Sequence, residues 1–410
     1  MKLTKFEREM LSGKHGKATQ KAMEILVGLG KIYHADRMAP VSSVQISGVS
    51  FDNLGEAGLQ FLEQMAENGG KARVLTTLNP SGMDIENWQS LGIDKRFAEN
   101  QFRVIQAYQR MDIISTCTCT PYLSGNLPHF GEHIAWAESS AVCYANSILG
   151  ARSNREGGPS ALAASLTGRT PRYGYHLESA RKPDITVVVE KIPATRQDGM
   201  ATKEFGALGK SIGEKLEARG KRIPYITGLK EASMEELKSF CASIATYGGV
   251  ALCHIDNITP EASNFTPAKE KIQISAKDII NAINSLGDIS AKEVDFISLG
   301  CPHLSIKEIA RLAGLIQGKK VEKEFWITTS RPTKKISDLM GYTEIIEYTG
   351  AKFATDTCCV VAPIGGRFRG LATDSAKACY YGYAKNNMRT LLCSFEDAIA
   401  IAVGDYPTNP

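Results

Sequence analysis

Short apolar runs broken by polar turns set the rhythm of this chain, and the rhythm changes partway along it. In the first part, "SSVQISGVSF" at 42–51 and "ARVLTTLNPSGMD" at 72–84 carry β-branched residues up to a Gly, Asn or Pro, and so read as strands that end in turns. "EHIAWAESSAVCYANSIL" at 132–149 is apolar over a longer stretch and reads as a helix. The opening "MKLTKFEREMLSGKHGKATQKAMEIL" has the charged amphipathic spacing of a surface helix. From "KPDITVVVEKI" at 182–192 the pattern becomes regular. A β-branched run is followed by helix "EFGALGKSIGEKLEARG", strand "IPYITGL", helix "MEELKSFCASIATYG" and strand "VALCHIDNI". Such alternation predicts an α/β layer with parallel strands. A third α/β block starts near "EKIQISAKDIINAINSL" at 270–286. It continues through "VDFISLGCPHLSIKEIARLAGLI", "EFWITTS" and "EIIEYTGAKFATDTCCVVAPI" to the helix-like "KACYYGYAKNNMRTLL" at 377–392.

The pattern divides the chain into three α/β domains, 1–183, 184–265 and 266–410, with no internal repeat or low-complexity tract. A length of 410 residues, too great for one ordinary core, agrees with that division. The formal net charge of +4, from 48 basic and 44 acidic side chains, is too small and too evenly spread for a dedicated nucleic-acid binder. It suits a small anionic substrate. No run approaches the roughly 18 apolar residues of a membrane span, and the opening lacks the apolar core of a secretory signal. A cytoplasmic protein is therefore expected, with its 10 cysteines as reduced thiols or metal ligands.

None of those cysteines forms the C-x2-C pair of a zinc ribbon or ferredoxin-type cluster. Cys117 and Cys119 make a C-x-C; in an extended segment both would face one side, as metal ligands or as a buried structural pair. Cys301 follows an apolar strand and a glycine, ahead of a helix for which Ser305 is the expected N-cap. Cys358 follows Asp356 in "GAKFATDTCCVVAPIGG". Ligands bind at strand ends in open α/β sheets. Single thiols from three distant segments can converge there on an iron–sulfur cluster. Cys143, Cys241, Cys253, Cys379 and Cys393 lie in apolar contexts and read as buried packing. His129 and His133 have i, i+4 spacing, but Pro128 and Gly131 oppose a helix, so surface or hydrogen-bonded roles are expected. His254 and His303 are unassigned. "GARSNREGGPSALAASLTGR" lacks the Gly-Lys-Ser/Thr ending of a phosphate loop; it reads as a Gly-rich turn with Arg152 and Arg155 near an anion site.

Several long blocks, in order, resemble the aconitase X family, a branch of the aconitase superfamily. They are "TCTPYLSGNLPHFGEHIAWAESSAVCYANSILGARSNREGGPSALAASLTGRTPRYGYH" at 118–176, "SLGCPHLSIKEIARLA" at 298–313, "TDTCCVVAPI" at 355–364 and "TDSAKACYY" at 373–381. The resemblance spans nearly the whole chain and is strongest to archaeal members that serve as large subunits. It implies an aconitase-like architecture of three α/β domains, with the swivel domain on a separate small subunit as partner. It carries the family's cluster ligands onto Cys119, Cys301 and Cys358 and leaves Cys117 and Cys359 as neighbours. A [4Fe-4S] cluster is implied; a [2Fe-2S] cluster or mononuclear iron at the same cysteines stays open. Substrate contacts fall on Gly48, Val49, Ser50, Asn79, Pro80, Glu138, Ser139 and Lys377, of which Glu138, Ser139 and Lys377 are the expected catalytic residues.

Physically, Gly48 lets backbone N–H groups approach an anion, and Ser50 and Asn79 offer hydrogen bonds. Lys377 is a compact cation for a carboxylate or phosphate, and Glu138 can bond a hydroxyl or relay its proton. Apart from the resemblance, Gly48 and Asn79-Pro80 read as ordinary turns, and Lys377 as a solvated helix charge. The implied activity is that of a hydro-lyase converting (R)-5-phosphomevalonate to trans-anhydromevalonate 5-phosphate, in a modified mevalonate route to isoprenoids. Within the family, cis-3-hydroxy-L-proline dehydration is the alternative; outside enzymology, it is an iron-responsive RNA-binding protein. No general base is identifiable in the sequence; by the resemblance it is a serine of the small subunit.

Overall fold

A computed structural model describes residues 1–192 and 200–406. The first part contains α1 (Lys5–Leu11), α2 (Lys17–Ile32), β1 (Met38–Pro40), β2 (Ser43–Ile46), α3 (Phe51–Glu67), β3 (Leu75–Leu78), α4 (Lys95–Arg110), β4 (Ala135–Trp136), α5 (Ser139–Ser147), α6 (Gly158–Thr167) and β5 (Arg169–Pro171). β2 is buried along its length and pairs in parallel with β3 and β4, in the order β3-β2-β4. β1 and β5 form a separate antiparallel pair. The opening amphipathic pattern is two helices: Gly13 and Gly16, both at positive φ, break it, and a Thr4–Glu7 capping box starts α1.

The segment 132–149, expected as one helix, is instead strand β4, a turn and helix α5. The aromatic and β-branched half pairs with β2, and Glu138 caps the helix by accepting from the Ala141 amide at 2.7 Å. The Gly-rich segment after Arg155 likewise contains α6, which Pro159 opens in its first turn and Gly168, left-handed, closes.

The middle part holds β6 (Ile185–Val189), α7 (Thr202–Glu217), β7 (Pro224–Thr227), α8 (Met234–Gly248), β8 (His254–Ile255), β9 (Lys271–Ile274) and α9 (Ala276–Asn284). Its parallel sheet runs β8-β7-β6-β9. α7 and α8 pack closely because Gly209 lacks a Cβ, which would stand 2.8 Å from the Phe240 carbonyl oxygen. β9 pairs with β6 and α9 packs on α7, so the segment grouped from its pattern with the third block belongs to the middle sheet.

The remainder is β10 (Phe296–Leu299), α10 (Ile306–Ile316), β11 (Glu324–Thr329), α11 (Arg331–Leu339), α12 (Tyr342–Tyr348), β12 (Lys352–Thr355), β13 (Gly370–Thr373), α13 (Ala376–Asn386), β14 (Arg389–Leu392) and α14 (Phe395–Ala402). These strands form a parallel sheet in the order β12-β11-β10-β13-β14. Ser305 caps α10 in a capping box with Glu308, as expected. Glu308 also pairs with Lys238 of α8 at 2.5 Å, both buried, which locks the middle part to the third. Among the described residues no helix is long and apolar enough to cross a membrane.

Candidate active site

Each candidate segment of the first and third sheets lies just beyond the carboxyl end of a parallel strand, where ligands bind in open α/β sheets. Gly48–Ser50 follow β2, Asn79-Pro80 follow β3 and Glu138 follows β4; Cys301 follows β10, Cys358 follows β12 and Lys377 follows β13. The two sets of strand ends meet at one cavity of about 200 Å³, whose walls include Asn79, Pro80, Cys119, Glu138, Ser139, Cys301, Cys358 and Lys377. A larger cleft of about 860 Å³, among Glu190, Phe205, Leu229 and Glu236, contains none of the candidates.

Three loops deliver the thiols. The chain reaches Cys301 through Gly300 at φ 108, where a Cβ would collide with the Thr328 carbonyl oxygen. Cys117 sits at φ 44, so the C-x-C segment is not a regular strand and its two side chains diverge. Cys119 enters the cavity, whereas Cys117 packs in the first-domain core. Cys359, beside Cys358, packs instead with Phe296 and Trp326. The other five cysteines are buried, and all ten are free thiols.

One residue that the sequence left unassigned joins the three loops. The buried His303 donates its backbone N–H to Cys119 Sγ at 3.3 Å. Its Nε2 lies 2.9 Å from the Thr357 carbonyl, which fixes the proton there, and leaves Nδ1 to accept from Thr118 Oγ1 at 3.1 Å. Burial drives its pKa down to about 4, so the ring is neutral.

Do these thiols fit an iron–sulfur group? Cys119, Cys301 and Cys358 are each pushed up to about 12, chiefly by burial, and they raise one another. Without a bound cation all three hold their protons at neutral pH, and ligation would release them. Among the described residues no three His, Cys, Asp or Glu are grouped to hold a single ion. A cluster of several irons takes thiolates set farther apart, and the N–H···S contact to Cys119 is the kind that tunes such a cluster. The residues fit a cluster better than one metal ion.

Lys377 is the second residue of α13, where the helix dipole disfavours a cation. Glu138 compensates: its carboxylate accepts from Lys377 Nζ at 2.5 Å, from Ser140 Oγ at 2.5 Å and from the Ala141 amide. Burial alone would raise Glu138, but Lys377 and these donors outweigh it and hold it below its usual range. Burial opposes the charge on Lys377, yet Glu138 and the nearby thiols raise its pKa overall.

The remaining turns are tied down by glutamines. The buried Gln101 accepts from the Phe51 and Gly82 amides at 2.9 and 3.1 Å and donates to the Val49 carbonyl at 2.9 Å. The buried Gln45 donates to the Thr118 carbonyl at 3.0 Å and accepts from the Glu138 amide at 3.3 Å. A glutamine in the apolar run "SSVQISGVSF" was the available signal for Gln45. Gly48, Val49 and Ser50 form the turn into α3 rather than the cavity wall itself, and the Ser50 hydroxyl donates to the Val361 carbonyl at 3.2 Å. Arg331 pairs with Asp84, Glu86 and Asp356, clamping the turn after β3 against the Cys358 loop.

The arginines expected near an anion are elsewhere: Arg152 pairs with Glu261 at 3.5 Å, and Arg155 donates to the Gly249 carbonyl. His129 is an exposed partner of Glu132. His133 Nδ1 lies 2.9 Å from Nδ1 of the buried His176, whose pKa burial and His133 press down to about 3. The unfolded chain takes up that proton near pH 6.5 while the folded one does not, so acidification from pH 7 to 5 should cost about 2 kcal/mol at this residue. Urea midpoints should fall across that window, and less steeply in His176→Asn; equal slopes would refute the assignment.

Family comparison settles the lineage of this arrangement. The aconitase X first-domain model matches residues 1–179, the second-domain model 183–284 and the third-domain model 294–404. The chain belongs to the aconitase X family. Within aconitase X, the "Phosphomevalonate dehydratase large subunit" of Methanocaldococcus jannaschii is 46% identical over 394 residues, 93% of this chain and 95% of that relative. The "Cis-3-hydroxy-L-proline dehydratase" of Hypocrea jecorina is 33% identical over 422 residues, 99% of this chain but 69% of that relative. The crystal structure of the holo-form of Thermococcus kodakaraensis aconitase X superposes with a TM-score of 0.89 at 43% identity, over 98% of this chain and 100% of that one. Aconitase X membership, with three cavity thiols that suit it, implies an iron–sulfur cofactor.

Proposed function

We propose that this chain is the large subunit of an iron–sulfur hydro-lyase that dehydrates (R)-5-phosphomevalonate to trans-anhydromevalonate 5-phosphate. The observation that carries the proposal is a single cavity in which Cys119, Cys301 and Cys358 meet the Lys377–Glu138 pair. Cys119, Cys301 and Cys358 would hold a [4Fe-4S] cluster, three thiolates leaving one iron open. When bound, that group supplies a Lewis acid for the departing hydroxyl. The chain's own residues bind and orient. Lys377 presents a cation to the substrate carboxylate, Ser139 and Asn79 offer hydrogen bonds from the cavity lining, and Glu138 aims Lys377.

Glu138 is a weak base, since three donors engage it and its pKa is depressed. The resemblance to aconitases implies that the base for the C2 proton comes from outside this chain. A small swivel-domain subunit would supply it, which accords with the "large subunit" in the name of the M. jannaschii relative. Hydroxyproline fits less well: its ring ammonium calls for a free carboxylate, and Glu138, the one carboxylate among the described cavity residues, is already committed to Lys377.

The chain purified anaerobically should contain iron and sulfide in equal amounts and be inactive alone; adding the small subunit should start dehydration of phosphomevalonate. Turnover by the isolated chain would overturn the two-chain reading, and iron without sulfide would overturn the cluster.

A further inference from the structure

Helix α13 sends more than Lys377 into the cavity. Lys377, Tyr381 and Lys385 stand at i, i+4 and i+8, one face of the helix, and all three line the wall. At 1.5 Å per residue the two lysines are about 12 Å apart along the helix axis. Lys377 occupies the inner end, beside the cysteines. Lys385 occupies the outer end, where three elements converge: its Nζ lies 3.1 Å from Asp52 Oδ2 in the first turn of α3 and 3.4 Å from the Val361 carbonyl, which also accepts from Ser50. Asn53, next to Asp52, lines the same mouth.

The two lysines differ in how firmly they are held. Lys377 and Glu138 are nearly buried, with side chains 10% and 7% exposed. Lys385 and Asp52 are 26% and 43% exposed, and a pair so solvated is weak. An incoming dianion, carrying more charge than a carboxylate and three acceptor oxygens, can displace Asp52 without leaving a buried charge unpaired.

The geometry points to Lys385 as the residue that selects a phosphorylated substrate, holding the phosphate monoester at the cavity mouth while Asp52 keeps its place in the empty site. This rests on the proposed function. A 5-phosphorylated hydroxy acid carries a carboxylate at one end and a phosphate at the other, joined by a carbon chain. Two cations at opposite ends of one helix face, each reaching inward on a flexible stem, match that charge pattern. A carboxylate alone would need only the inner cation.

The test uses the complete two-chain enzyme with its cofactor. Lys385→Met should raise KM for phosphomevalonate about 10- to 100-fold, the worth of a hydrogen bond to a charged group, with kcat within about threefold of wild type. Lys385→Arg should recover most of the loss. Asp52→Asn, which removes the competing carboxylate, should lower KM and tighten inhibition by inorganic phosphate. Visible absorbance of the cofactor should be the same in every variant. An unchanged KM in Lys385→Met, or a raised KM in Asp52→Asn, overturns the assignment while leaving the proposed function standing. If the wild-type enzyme does not dehydrate phosphomevalonate at all, the functional reading falls and takes the assignment with it. Should Lys385→Met not fold, the Asp52→Asn arm decides alone.

Discussion

Cys301→Ala, prepared without oxygen, is expected to lose nearly all of its iron and sulfide, and Cys119→Ala and Cys358→Ala to do the same. The three thiols arrive on separate loops into one cavity, so removing one leaves two of the three thiols proposed to hold the cluster. Cys117→Ala and Cys359→Ala supply the contrast, each near a proposed ligand along the chain. Cys117 packs in the first-domain core and Cys359 against Phe296 and Trp326. Losing a buried sulfur there should cost about 1–2 kcal/mol of stability and no cofactor. Iron and sulfide per chain, read beside urea midpoints, separate the two classes. If Cys359→Ala lost its cluster while Cys358→Ala kept it, the ligand set proposed here would be wrong.

That contrast marks where the sequence was readable and where it was not. A C-x-C in a strand places both thiols on one face, which favoured a buried pair while leaving a metal site open. The left-handed backbone at Cys117 removes the premise, and nothing in "STCTCTP" announces a residue at φ 44. Strands β2, β3 and β10, after which Gly48, Asn79 and Cys301 fall, were legible because their apolar runs end at Gly, Asn or Gly-Cys-Pro. Segment 132–149 misled because β4 is only Ala135–Trp136, too short to show a period of two before α5 begins. The segment 270–286 misled because pairing partners are not written in a strand: β9 resembles any short strand, and only its ladder with β6 places it.

The uncharged tethers were the hardest to see. Gln45, Gln101 and His303 carry no charge when buried, and their partners lie far away in the chain: Gln45 reaches Thr118, Gln101 reaches Val49, and His303 reaches Thr118 and Thr357. A buried polar side chain must find partners or cost stability. Yet its sequence neighbours say nothing of which partners it finds. Resemblance to a family proposes the thiols and Lys377 as site residues, but it does not single out the residues that hold the thiol loops in register. In this structure those are a neutral imidazole and two amides, and each bridges loops that carry candidate residues.

The largest stability effect should come from Lys377 and Glu138. Lys377→Met leaves a buried carboxylate with only Ser140 and the Ala141 amide, and Glu138→Gln leaves a buried ammonium among thiols. Each single change should destabilise the chain by about 3–5 kcal/mol, because an uncompensated charge stays inside. The double variant Glu138→Gln, Lys377→Met removes both charges and should regain much of that loss, since the desolvation penalty goes with them. Activity behaves differently. With Lys377 gone the substrate carboxylate has no inner cation, so both Lys377 variants should lose about 10²- to 10³-fold in kcat/KM whatever their stability. Urea midpoints and steady-state rates on the four proteins complete the cycle. Losses of stability that simply add would mean that the pair is not coupled as its 2.5 Å contact requires, while activity returning in the double variant would move the anion site away from Lys377.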